Sequence, residues 1–234
     1  MPSPPVSPTA RMESGGLAEL RRRYLRIQLD GDRRAALALV NNAIASGVSV
    51  DALQSEVVRE AQREIGRLWE QDRVSVAQEH AATAISQVTL AHLYQHAHAE
   101  PRNGARVIVA CVPGEHHDFP ARLLADRLDL AGFETIYLGA DVPEHALVDS
   151  VIAQRPLALA LSITMPFNAP ALRAVIRRVR AAGSRRVPIA VGGHACQWDK
   201  NLPSQVDADI DARDDATLIA ALNGLRASAE AESQ

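Results

Sequence analysis

The segment Glu115-His116-His117-Asp118 sets two imidazoles between two carboxylates, directly after the apolar run Val107–Val112 and the break Pro113-Gly114. A neutral imidazole ligates a transition metal through one ring nitrogen. A carboxylate hydrogen-bonded to the other nitrogen orients the ring and raises its basicity. Either Glu115 or Asp118 can take that second part. A run of six apolar residues, rich in β-branched types and too short for a helix, reads as a buried strand. A helical pattern resumes near Ala121. The imidazoles thus stand beyond the carboxyl end of a strand, where open α/β sheets bind ligands.

The elements that hold these residues follow from the pattern along the chain. Residues 1–16 are rich in Pro, Ser and Gly and read as a disordered leader. From 17 to 99 the pattern is helical throughout. Leu20, Tyr24 and Ile27 make one stripe and Ala36, Leu37, Val40 and Ile44 another. Ser49 can cap a third helix through Leu53, Val57, Val58, Ala61, Ile65, Leu68 and Trp69. Ser75 with Gln78 forms a capping box for a fourth, running to about His98. Short joins between such helices predict a four-helix bundle.

After the break Glu100-Pro-Arg-Asn-Gly104 the pattern changes to strands alternating with helices. Strands are expected at 106–112, 135–138, 157–162, 187–191 and 208–210, and helices at 121–131, 144–154, 171–182 and 215–227. This spacing predicts a Rossmann-like, doubly wound, parallel five-stranded α/β domain over 105–228, followed by a short tail, 229–234. Its strand ends carry Gly139-Ala-Asp-Val-Pro143, Ser162-Ile-Thr164 and Gly192-Gly193-His194, small or hydroxylated residues that let a ligand approach the backbone closely.

Composition narrows the classes. Aromatic content of 3% within 47% hydrophobic residues gives a core of Ala, Leu, Val and Ile. A net charge of −3 supplies no general attraction to nucleic acid or anionic membrane. No apolar run is long enough to span a bilayer and no secretory signal opens the chain, so a cytoplasmic protein without membrane partners is expected. Two cysteines make no disulfide framework: Cys111 falls in a strand and Cys196 in a loop. His92, His96 and His98 read as a solvated helix end, and Asp207, Asp209 and Asp211 as a solvated strand-end run.

Glu115-x-His117-x-x-Pro120 resembles the Asp/Glu-x-His-x-x-Gly signature of cobalamin-binding domains, departing from it at the glycine. Together with the three later loops, the resemblance spans 105–228. It implies that His117 is the lower cobalt ligand. His116, Asp118 and Phe119 would lie beside it, and Ser162, Thr164, Gly192 and Gly193 along the nucleotide-tail pocket. Proline at 120 fixes its own φ and restricts Phe119, which alters the loop's options.

In the bundle, the phrase Leu68-Trp-Glu-Gln-Asp-Arg-Val-Ser-Val-Ala-Gln-Glu-His80 resembles the helical cap of CarH-type light-sensing cobalamin regulators. That resemblance implies an upper-face pocket of Trp69, Val76, Glu79 and His80 around an adenosyl group. Glu70 stands where many members have a histidine that captures cobalt after photolysis, so that route is not expected here. No DNA-binding module is recognised ahead of the bundle.

The expectation is a cobalamin-binding light sensor that is not an enzyme and does not bind specific DNA directly. It would carry adenosylcobalamin and signal through homo-oligomer assembly or a protein effector. Two alternatives share the architecture: a corrinoid methyl carrier of a methyltransferase system, and a photocobilin-like receptor holding a bilin such as biliverdin beside the corrin.

Overall fold

In the computed structural model, residues 8–182 and 186–232 are described, and the chain divides into two compact units between residues 97 and 98. Among the described residues, the first unit contains helices α1 (Pro8–Leu29), α2 (Arg33–Ala45), α3 (50–70) and α4 (Val76–Tyr94). Of the segment read as a leader, 1–7 lie outside the described residues. Residues 8–16, the rest of that segment, open α1.

The expected caps are present. Ser49 Oγ accepts from Ala52 N–H at 3.2 Å. The Ser75–Gln78 box closes in both directions, Gln78 N–H to Ser75 Oγ at 3.3 Å and Ser75 N–H to Gln78 Oε1 at 3.0 Å. Helix α3 contains a π-helical stretch, Leu53–Val58, which no propensity signals. Helix α4 stops at Tyr94, short of His98, because His96 and His98 are weak helix formers. Tyr24, Leu53, Val58, Ile65, Leu90 and Leu93 are buried in the bundle interior.

The second unit holds strands β1 (Arg106–Cys111), β2 (Glu134–Gly139), β3 (Ala158–Ser162), β4 (Ile189–Gly192) and β5 (Ile210–Asp211). They form one parallel sheet in the order β2-β1-β3-β4-β5. Helices α5 (Phe119–Leu130), α6 (Glu144–Gln154), α7 (Ala169–Ala182) and α10 (Asp215–Glu232) flank it. Two four-residue helices, α8 (Ala195–Trp198) and α9 (Leu202–Gln205), lie between β4 and β5. Helix α10 takes in 229–232, the first part of the segment read as a tail.

Successive strand residues face opposite sides. Ile108, Ala110, Leu159, Leu161, Ile189 and Val191 join a core with Leu147 and Val151 of α6 and Leu172 and Val175 of α7. Val107, Val109, Ala158, Ala160 and Ala190 join another with Ala121, Leu128, Leu218 and Leu222 of α5 and α10. Because the chain leaves β1 toward β2 on one side and returns to β3 on the other, a crevice opens at the carboxyl ends of β1 and β3. Register places Cys111 beside Ser162, and Ser162 beside Gly192, along that edge.

Candidate cofactor-binding site

Beyond β1, Glu115 is fully buried, at 0% exposure. Its Oε1 accepts from the His117 backbone N–H at 3.0 Å and from His117 Nδ1 at 2.6 Å. Its Oε2 accepts from Thr164 N–H at 2.8 Å, Met165 N–H at 2.9 Å and Asn168 Nδ2 at 3.0 Å. Burial pushes the carboxyl upward. The bonds from the His117 ring and from the Met165, His117 and Thr164 amides outweigh burial and hold it at about 2. An ionised carboxylate accepts only, so Nδ1 of His117 carries the proton and Nε2 the lone pair. The His117 side chain is 48% exposed. This is the orientation a metal-ligating histidine needs.

Asp118, the other candidate for polarising the ring, is engaged elsewhere. It accepts the Tyr137 hydroxyl at Oδ2, at 3.0 Å. His116 is exposed and Phe119, opening α5, is buried. The loop is fixed from β2 as well. Gly114 N–H donates to Asp141 Oδ1 at 2.7 Å, and Asp141 N–H to the Glu115 carbonyl at 2.9 Å.

Ser162 is buried at the end of β3, and the Cys111 thiol beside it donates to the His117 carbonyl at 3.9 Å. Burial, then the charges of Glu115 and Asp118, push the Cys111 thiol up to about 12, so it stays protonated. Cys196, read as lying in a loop, is buried in α8. A Cβ on Gly192 would run into the Ala212 carbonyl, and one on Gly193 (φ +109°) into that of Ile163. The space beside this pair is taken by neighbouring protein backbone, so glycine is required here for close packing of the strand ends.

In the bundle unit, Trp69 near the end of α3 is 39% exposed and Val76 at the start of α4 is 54% exposed. Trp69 is therefore not a core residue. Glu79 bonds His80, Oε2 to Nδ1 at 2.6 Å, and accepts the Thr83 hydroxyl at Oε1, at 2.8 Å. The His80 ring is 74% exposed.

Asn168 escaped the sequence reading, although an asparagine just ahead of a helical run is a recognisable turn signal. The Thr164 and Met165 amides carry no side-chain signal at all. One further atom bears on a ligand: Thr164 Oγ1 is buried without a hydrogen-bond partner among the described residues. A buried hydroxyl left unsatisfied beside the Glu115–His117 pair, together with an imidazole–carboxylate donor set, fits a metal-centred cofactor with polar groups to offer.

A parallel sheet with a carboxylate-held histidine beyond its first strand defines a cofactor-binding α/β domain. Residues 105–220 match the B12 binding domain, and residues 20–94 match a second model of the same description. The chain belongs to the B12-binding family and is a cobalamin-binding protein.

Among relatives, the HTH-type transcriptional repressor CarH of Myxococcus xanthus is 34% identical over 135 residues, 57% of this chain and 44% of that protein. The chain thus spans less than half the length of that relative. The trimethylamine corrinoid protein of Methanosarcina barkeri is 26% identical over 187 residues, 77% of this chain and 84% of that protein. The monomethylamine corrinoid protein of Methanosarcina barkeri superimposes with a TM-score of 0.75 at 18% identity, over 88% of this chain and 98% of that one, and so shares the fold.

Among the described residues no helix is long and apolar enough to cross a membrane.

Proposed function

We propose that this protein is a cobalamin-dependent light sensor. His117 Nε2 would ligate the cobalt, with Glu115 fixing that imidazole. Thr164 Oγ1, with Ser162 and the turn at Gly192-Gly193, receives the polar tail. On the bundle unit, Trp69, Val76, Glu79 and His80 would receive the adenosyl group. When bound, adenosylcobalamin supplies a cobalt–carbon bond that light breaks. A ligand shifts a protein between states only through contacts that differ between them, and an indole placed against the adenosyl group provides that difference.

The observation that carries this reading is the exposure of Trp69 and Val76 on the same unit as the Glu79–His80 pair. A bundle that needed Trp69 only for its core would bury it. The similarity to CarH supports the same reading.

Similarity to the trimethylamine corrinoid protein, over more of both chains, favours a second reading, a methyl carrier. The two separate on ligand preference. The sensor is expected to bind adenosylcobalamin better than methylcobalamin, and Trp69→Ala to reduce that preference while cobalamin still binds. Equal affinities of wild type and Trp69→Ala for the two cobalamins would overturn the sensor reading.

A further inference from the structure

A continuous line of hydrogen bonds runs through the bundle interior to Glu79. Gln28 Nε2, on α1, donates to Ser86 Oγ on α4 at 2.6 Å. Ser86 Oγ donates to Gln62 Oε1 on α3 at 2.9 Å. Gln62 Nε2 donates to Thr83 Oγ1 at 2.6 Å, and Thr83 Oγ1 donates to Glu79 Oε1 at 2.8 Å. The other carboxylate oxygen meets His80 Nδ1. Gln28 and Ser86 are buried.

The direction of every bond is forced. The Glu79 carboxylate can only accept, so the Thr83 hydroxyl donates to it and must itself accept from Gln62 Nε2. The Gln62 oxygen then faces Ser86, which donates and accepts from Gln28. At the far end the Gln28 amide cannot flip, because its Nε2 also donates to the Ala82 carbonyl at 3.1 Å, where an oxygen would be repelled. All the dipoles therefore point toward Glu79, the arrangement in which each hydrogen bond polarises the next. The orientation also leaves Gln28 Oε1 buried without a hydrogen-bond partner among the described residues. That cost is accepted by a chain whose direction is fixed from both ends.

Adjacent residues on a helix do not face each other. For the Glu79 carboxylate to reach the ring of His80 it must be turned sideways along α4, and Thr83, one turn on, anchors the oxygen that His80 does not use. We propose that Thr83, Gln62, Ser86 and Gln28 are positioning residues for the Glu79–His80 pair. They hold His80 in its Nδ1–H tautomer with Nε2 presented outward, and they tie that state to the packing of α1 and α3 on α4. The meaning of the pair for an upper ligand rests on the function proposed above; the positioning itself does not.

The test is nitrogen-15 NMR of the His80 ring in the full-length protein free of cobalamin, at about pH 9, where imidazoles are neutral. Wild type is expected to show the Nδ1–H tautomer. Thr83→Val, which removes only the hydroxyl, and Gln62→Leu are expected to shift the ring to the Nε2–H form that unconstrained histidine prefers. Thr83→Ser, which restores the donor, is expected to keep the wild-type pattern, and Gln28→Leu to give a smaller shift than Gln62→Leu. Thr83→Val and Gln62→Leu variants that fold, by circular dichroism, yet keep the wild-type ring signals would overturn the proposal. If Gln62→Leu does not fold, the contrast between Thr83→Val and Thr83→Ser decides alone. Since no cofactor is present, a failed light response leaves this readout intact. An unchanged adenosyl preference in Glu79→Gln, alongside the expected NMR shifts, would count against the upper-ligand reading and leave the positioning of His80 supported.

Discussion

A histidine becomes a dependable metal ligand when something else settles its tautomer, and at residue 117 that is the work of Glu115. Five donors converge on the Glu115 carboxylate, two of them from His117 itself. The anion is thus stabilised where burial alone would neutralise it. Among the described residues, it is the His117 ring and not that of His116 that Glu115 holds. His117→Ala is therefore expected to abolish histidine-ligated cobalamin binding, seen as loss of the bound absorption spectrum, whereas His116→Ala keeps it. Glu115→Gln should weaken binding by roughly 10–100-fold, the usual effect of removing a group that orients a ligand. The reverse behaviour of the two histidine variants would place the ligand one residue earlier. The motif was legible in the sequence down to the pair of carboxylates. The choice between them was not, because Tyr137, which claims Asp118, comes from another strand, and the Thr164 and Met165 amides that claim Glu115 come from the loop after a third.

At the scale of elements, periodicity and capping residues carried most of the information. Helix α6 and the Ser75 box lie where the pattern places them, since caps and stripes are local. The short helices α8 and α9, the π-helical stretch and the two-residue β5 were missed or displaced. Each is too short for a period and is set by tertiary contacts.

Asp209 shows such a contact. Instead of lying solvated at a strand end, its Oδ2 accepts from Ile189 N–H at 2.7 Å and Arg180 Nη2 at 2.6 Å, and its Oδ1 accepts from Arg186 Nη2 at 2.7 Å. It joins α7, β4 and the approach to β5. Burial raises its pKa, but the bonds from Arg180, Ile189 and Arg186 prevail and lower it. A carboxyl depressed in the folded state contributes fully above its unfolded value, about 3.9, and loses that contribution as pH falls through the lower folded value. Urea midpoints measured downward from about pH 5 should therefore fall more steeply for wild type than for Asp209→Asn. Parallel curves would show that Asp209 adds no acid-dependent stability.

For the whole molecule, the question is how a cobalamin-binding protein of this kind would report a change at its ligand. The net charge of −3 gives no general electrostatic draw to nucleic acid, whose binding rests first on neutralising phosphates. Closed symmetric dimers are the commonest assemblies of soluble proteins. For the proposed sensor, a change in self-association is the output we propose. It makes a prediction that separates the sensor from the methyl carrier, because a carrier has no need to change mass when its ligand changes. Light scattering after size exclusion, on protein loaded with adenosylcobalamin at one concentration, is expected to give different masses in the dark and after illumination. Trp69→Ala should narrow the difference, since the indole is the group proposed to sense the upper ligand. Equal masses in both states, with no partner protein retained in either, would favour the methyl carrier, whose relatives match this chain over most of their own length.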